Sequence, residues 1–200
     1  MADPRAAQAW VALGDRAIRF ARPARSAQTL VHAVRAWPGV VDVVVARTEV
    51  AAYFADEPEV DPAWIAALAT VPDDPDPGRD VAIPAVYDGP DLAEVAAALG
   101  RHADEVRALH AGATYTVETM GFSPGFAYLA GLPAELELPR RTTPRTRVPA
   151  GSIAIAGLHS AVYPFDSPGG WHLIGSIARI RMFGPDGPLL HLGDRVRFVP

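Results

Sequence analysis

The sequence contains no cysteine, no lysine and no asparagine, and all 18 of its basic residues are arginine. Without cysteine there is no disulfide framework, no thiolate metal site and no thiol nucleophile, so a packed core must supply the stability. Without lysine there is no Schiff base and no Walker A lysine, and any nucleotide site would have to be built from other groups. No window offers the roughly 18 apolar residues of a membrane span, and the first ten residues hold no secretory-type apolar run. The expected location is the cytoplasm, with no membrane partner.

What is present suits a globular chain. Its 200 residues are 50% hydrophobic and 20% charged, enough to bury roughly 70% of the unfolded surface. Charge is divided unevenly along the chain. Residues 1–139 carry 10 arginines against 20 acids, and residues 140–200 carry 8 against 3, so a net charge of -10 precedes one of +5. The basic third is expected to face something anionic, either a ligand or the acidic part of the same chain. The overall charge of -5 argues against nucleic acid as a partner.

Two apolar-rich runs, 9–13 and 16–20, flank Gly14-Asp15, a pair suited to a tight hairpin turn. Ser26 is a helix N-cap, followed by apolar residues at Ala27, Leu30, Val31 and Val34, and Trp37-Pro38-Gly39 ends that helix. Strands are expected at 40–47 and 49–55, and Asp61-Pro62 starts a second helix running to Thr70. The order ββαββα predicts a two-layer α+β domain over residues 1–78, with both helices on one face of a four-stranded sheet. Residues 71–78, with three prolines and three acids, form the expected connector.

Beyond it, over 79–200, the pattern predicts a strand at 81–87, helices near 91–99 and 104–111, and a strand at 114–120. From Gly121 onward short apolar runs at 152–156, 173–174, 179–183 and 195–199 stand among many Gly and Pro residues, as in a β-barrel or sandwich.

Gly121-Phe122-Ser123-Pro124-Gly125 fits the G-x-S-x-G pattern of a hydrolase elbow, but the residue after the serine must donate its N–H to an oxyanion, and proline has none. A structural turn is the preferred reading. The six histidines include no His-x-His and no glutamate-bearing i, i+4 pair, so no metal ligand set is expected. His159 and His172 lie in the Gly-rich region, where each is either a ligand-site group or a local hydrogen bonder. Arg140, Arg141, Arg145 and Arg147 fall within eight positions stiffened by prolines, a setting for guanidinium forks aimed at carboxylate or phosphate, or for a salt-bridged loop. In Ser167-Pro168-Gly169-Gly170-Trp171 the paired glycines allow a close backbone approach to a ligand, or serve a buried tryptophan.

The segments GFSPGFAYLAGLP, PRRTTPRTRVPAGSIAIAG, VYPFDSPGGW and GDRVRF together resemble the family of the prokaryotic 5-oxoprolinase B subunit, also known as the first subunit of allophanate hydrolase or the KipI-type kinase inhibitor family, with carboxyltransferase subdomains C and D. The resemblance extends through Gly14-Asp15, Ile83-Pro84 and Tyr115 to nearly the whole chain. It implies that the second domain is a cyclophilin-like β-barrel. It also implies two partners, a larger carboxyltransferase-like C subunit and a separate A subunit, and conversion of 5-oxoproline to L-glutamate with ATP consumed by the complex. Where the family usually reads Gly-x-Gln-Thr-Gly-Ile-Tyr-Pro, this chain has Gly157-Leu-His159-Ser160-Ala161-Val-Tyr163-Pro164, and after Ile174-Gly175 it has Ser176-Ile177-Ala178 in place of Arg-Thr-Pro.

The reading that follows is one component of an ATP-dependent lactam hydrolase, inactive alone and contributing part of a composite site. Arg140, Arg141, Arg145, Ser167, Gly169, Gly170 and Trp171 are the candidate substrate- or anion-binding residues, and His159 is the candidate acid/base group. The alternatives are a non-catalytic module that inhibits a sensor histidine kinase, and a component of an allophanate- or urea-type amide-metabolising complex.

Overall fold

The structure, a computed structural model, describes residues 9–73 and 76–200. The chain divides into two compact units, 1–76 and 77–200. In the first, β1 (Val11–Ala12) and β2 (Ala17–Ala21) precede α1 (Ala27–Arg35), and β3 (Val40–Val45) and β4 (Glu49–Phe54) precede α2 (Pro62–Ala67). The strands lie in the order β1-β2-β4-β3, every pairing antiparallel. Alternation puts Val50, Ala52 and Phe54 of β4 inside together with Ile18 and Phe20 of β2.

Local chemistry sets the ends of the helices. The Ser26 side chain accepts from the Thr29 N–H, and the Asp61 side chain accepts from the Ala63 N–H with Pro62 at the first helical position. The first hairpin differs from the two-residue turn expected at Gly14-Asp15. The Leu13 N–H donates to Ala17 O at 2.7 Å, so the loop has three residues, with Gly14 at φ +71°. Arg16, in the loop, still pairs toward β4, its carbonyl accepting from the Phe54 N–H at 2.7 Å.

The second unit contains β5 (Asp80–Val86), α3 (Leu92–Ala98), α4 (Ala103–Gly112), β6 (Tyr115–Met120), β7 (Ala127–Ala130), β8 (Arg145–Val148), β9 (Ser152–Ala156), β10 (His159–Val162), β11 (Ser167–Gly169), β12 (His172–Ile177), β13 (Phe183–Gly184), β14 (Gly187–Pro188) and β15 (Arg195–Val199). Seven of these strands close a barrel in the order β10-β7-β6-β15-β5-β12-β9. Its one parallel pairing joins β5 to β15, the two ends of the unit. Arg79 fixes that pairing: its backbone N–H and its guanidinium both donate to buried Asp194, and its carbonyl receives the Arg195 N–H. Those donors outweigh burial and hold the Asp194 carboxyl below the usual carboxylate range.

The short apolar run at 179–183 is irregular except at its end, where Phe183 starts β13. Arg179 stands at φ +64°, which is incompatible with extended chain. In β9 all five residues are buried. Ile153 and Ile155 point into the barrel with Leu129, Ile174 and Phe198, while Ala154 and Ala156 lie on its outer face under Phe126, Tyr163 and Trp171. A second apolar layer therefore covers this outer face, and the β8–β11 ribbon contributes Val148 to it. Among the described residues no helix is long and apolar enough to cross a membrane.

Candidate functional site

The turn after β6 disposes of the hydrolase pattern geometrically. Phe126 N–H donates to Ser123 O at 3.0 Å, with Pro124 and then Gly125 (φ +76°) at the central positions, as in a type II turn. It joins strand to strand, whereas a nucleophile elbow joins strand to helix. Ser123 thus opens a turn. The preceding Phe122 has φ +75°, unusual for a bulky residue. Its side chain is 61% exposed and its ring lies edge-on to Phe126 and Tyr163.

The arginine segment and the Ser-Pro-Gly-Gly-Trp segment, distant in sequence, become one surface. Arg145 pairs with Gly169 and Val148 with Ser167 across the ribbon. Arg141 N–H donates to Gly170 O at 2.8 Å, and His172 Nε2–H donates to Pro139 O at 2.9 Å. Gly169 is required by a neighbour, since a Cβ there would come within 2.3 Å of the Tyr163 hydroxyl. Trp171 is buried, and its backbone N–H favours the ionised form of that same hydroxyl.

Asp91 organises the arginines. It sits at the N-terminus of α3 but makes no side-chain cap there, and it is only 2% exposed. One carboxylate oxygen accepts from Arg145 Nη2 at 2.5 Å and Arg141 Nη1 at 3.2 Å, and the other accepts from the Leu173 N–H at 2.7 Å. Arg141 also reaches Glu94 at 3.1 Å, and the hydrogen bond to Glu94, with Asp91 behind it, raises the Arg141 pKa further. Arg147 is bound to Asp166. Much of the basic run is therefore neutralised within the chain. Arg140 is exposed and makes no salt bridge among the described residues.

Among the described residues, five buried side-chain polar atoms lack a hydrogen-bond partner: Ser123 Oγ, Arg141 Nε, Arg145 Nη1, Ser167 Oγ and His172 Nδ1. All five belong to these joined segments or to the Ser123 turn. Burial raises the Tyr163 pKa, while the Trp171 N–H, Arg140 and Arg145 pull it down less strongly. The phenol stays neutral and keeps its O–H. Arg140 and Arg145 both act on this phenol through their charge, and one buried guanidinium nitrogen of Arg145 has no partner; guanidinium donors of this kind suit a carboxylate or phosphoryl oxygen.

His159 lies at the far side of the same outer face. Its ring is edge-on to Tyr128, with centroids 6.2 Å apart, and Tyr128 in turn contacts Trp171 at 5.8 Å. Its Nε2 is 2.8 Å from Glu118 Oε2. Sequence reasoning named the arginines, Trp171 and His159 but missed Asp91, Glu118, Tyr128 and Tyr163. The available signals were weak: an acid just after Gly89-Pro90, and a lone acid in the strand that becomes β6. Among the described residues no three His, Asp or Glu side chains gather as a metal site requires.

The model of the carboxyltransferase domain, subdomain C and D, matches residues 8–190. The 5-oxoprolinase B subunit of Escherichia coli O157:H7 is 43% identical over 187 residues, covering 88% of this chain and 83% of that protein. The B subunit from Haemophilus influenzae is 44% identical over 128 residues, covering 61% of this chain and 60% of its own length. Among solved structures, TTHA0988 superposes with a TM-score of 0.77 at 36% identity, over 92% of this chain and 40% of that one. On these grounds the chain belongs to the family of the carboxyltransferase domain, subdomain C and D, to which its likeness to 5-oxoprolinase B subunits also points.

Proposed function

We propose that this chain is the B subunit of a 5-oxoprolinase, a complex that opens the lactam of 5-oxoproline to L-glutamate with ATP consumed. The observation that carries the reading is 43% identity across 88% of the chain to a protein named as that subunit. Lactam opening needs the amide activated and the charge that develops on its oxygen stabilised, and pre-organised guanidinium and phenol donors are suited to that work. The site in this reading is the edge formed by Arg140, Arg145 and Tyr163 beside Trp171, with Arg141, Ser167, Gly169 and Gly170 shaping it and His159 across the aromatic layer.

The chain acts with partners. It has no lysine and no cysteine, and its one nucleophile-like motif is a turn, so a lone chain lacks the groups for nucleotide-driven chemistry. ATP is a substrate of the complex and is not assigned to residues of this chain. A chain of this kind accounts for only 40% of TTHA0988, which supports a partner polypeptide, the C subunit, supplying what continues there. An A subunit completes the complex in this reading, and the barrel is of the cyclophilin-like kind. The test is glutamate release from 5-oxoproline by this chain co-purified with its A and C subunits. Release that needs ATP and stops when this chain is omitted is the expected result. Equal release without it refutes the reading, and robust turnover by this chain alone refutes the shared site.

A further inference from the structure

Glu118 and His159 are 41 residues apart, and the barrel register brings them together on its outer face, Glu118 from β6 and His159 from β10. Their side chains are 31% and 21% exposed, partly shielded yet reachable. A carboxylate can only accept, so in neutral imidazole the hydrogen is on Nε2, which donates to Glu118 Oε2 at 2.8 Å. That leaves Nδ1 as an acceptor. The Tyr128 ring stands perpendicular to the imidazole, with centroids 6.2 Å apart. Both cross-strand neighbours, Ala156 on β9 and Ala130 on β7, are small, so no bulky side chain crowds His159 within its row.

From this we infer that the Glu118–His159 pair is a specificity element that presents Nδ1 as the acceptor for an amide N–H of the substrate. The inference rests on the 5-oxoprolinase reading and deepens it, because a lactam carries an N–H donor that its ring-oxygen isostere lacks. A site holding one well-placed acceptor for that donor leaves the acceptor unpaired when the isostere binds. His159 is then a binding residue whose orientation Glu118 fixes, in the way a carboxylate sets the tautomer of a histidine it holds. A glutamine at 159 carries a carbonyl that can play the same part, whereas phenylalanine keeps the bulk and removes the acceptor.

Two measurements test it. First, histidine-labelled wild-type chain is studied by long-range proton–nitrogen correlation at about pH 8, above the ordinary histidine pKa. The expected result is the Nε2–H tautomer at His159, lost or mixed in Glu118→Gln. An Nδ1–H tautomer in the wild type overturns the inference. Second, in the assembled complex, inhibition by the lactone 5-oxotetrahydrofuran-2-carboxylate is compared with the binding of 5-oxoproline. The wild type is expected to prefer the lactam by roughly three- to tenfold, one hydrogen bond's worth. His159→Gln should keep that preference and His159→Phe should lose it. An unchanged preference in His159→Phe, with glutamate still released, overturns the inference and leaves the 5-oxoprolinase reading standing. If the wild-type complex releases no glutamate, the reading fails and the tautomer alone decides the geometry of the pair.

Discussion

Replacing Asp91 by asparagine keeps the shape of the side chain and removes the charge that holds two guanidinium groups and a backbone amide. The carboxylate is almost fully buried, while the Arg141 and Arg145 side chains keep 25% and 27% of their surface. Breaking a fully buried ion pair costs about 3–5 kcal/mol, but partial exposure lets water recover part of the loss. Hydrogen bonds to charged groups are worth about 1.5–3 kcal/mol each, and the amide retains some of them. The expected destabilisation of residues 77–200 is therefore about 2–4 kcal/mol, which lowers the midpoint of thermal unfolding by roughly 10 °C. Urea titration read by hydrogen-exchange mass spectrometry separates this unit from residues 1–76. Exchange at Leu173, whose amide donates to Asp91, should rise first. Glu94→Gln is the control: Glu94 is mostly exposed, and its loss should cost less than about 1 kcal/mol. Equal, small effects of both substitutions would refute the view that Asp91 anchors the arginine segment.

Gly169→Ala should destabilise the ribbon by about 1–3 kcal/mol, because the new methyl collides with the Tyr163 hydroxyl. Combined with Tyr163→Phe it should cost less than the sum of the two, and strict additivity in urea unfolding would contradict the contact. Buried His110, hydrogen-bonded to Tyr87 and Ser160, is held near pKa 3 by burial. Its unfolded value is about 6.5, so the unfolded chain takes up the proton first. The stability this site contributes is full above that value and is lost as pH falls toward 3. The stability difference between wild type and His110→Gln should shrink by about 2 kcal/mol from pH 7 to pH 5, and a difference independent of pH would remove His110 as the titrating group. Ser123→Ala should leave glutamate release unchanged and stability equal or slightly higher, since the buried hydroxyl has no partner. A hundredfold loss of rate would restore the elbow reading.

Elements set by local chemistry were legible in the sequence. Ser26 and Asp61-Pro62 mark their helix starts because a cap acts within three residues, and β9 and β15 follow their apolar runs. Positive backbone angles at non-glycine residues were not legible, so the apolar run starting at Arg179 is irregular up to Phe183 and Phe122 gained exposure without warning. The parallel closure of β5 on β15 depends on Arg79 meeting Asp194, 115 residues away, which no periodicity encodes. The site divides along the same line. The arginines and the Gly-Gly-Trp turn stand out because stiff or permissive backbone is written locally. Asp91 and Glu118 look like ordinary surface acids until barrel register sets them beside Arg145 and His159.

In the proposed site, the unpaired guanidinium branch of Arg145, whose charge acts on Tyr163, meets the substrate or its phosphoryl group. Arg145→Lys tests it most directly, because an ammonium can keep the pairing to Asp91 but cannot serve two directions as a guanidinium does. Turnover of 5-oxoproline by the assembled complex should fall roughly ten- to a hundredfold, the loss of one or two charge-assisted hydrogen bonds, while the unfolding midpoint of the variant moves by only a few degrees. Unaltered kinetics in a complex verified to be assembled would contradict the claim and leave the arginine segment as an internal brace between the ribbon and α3.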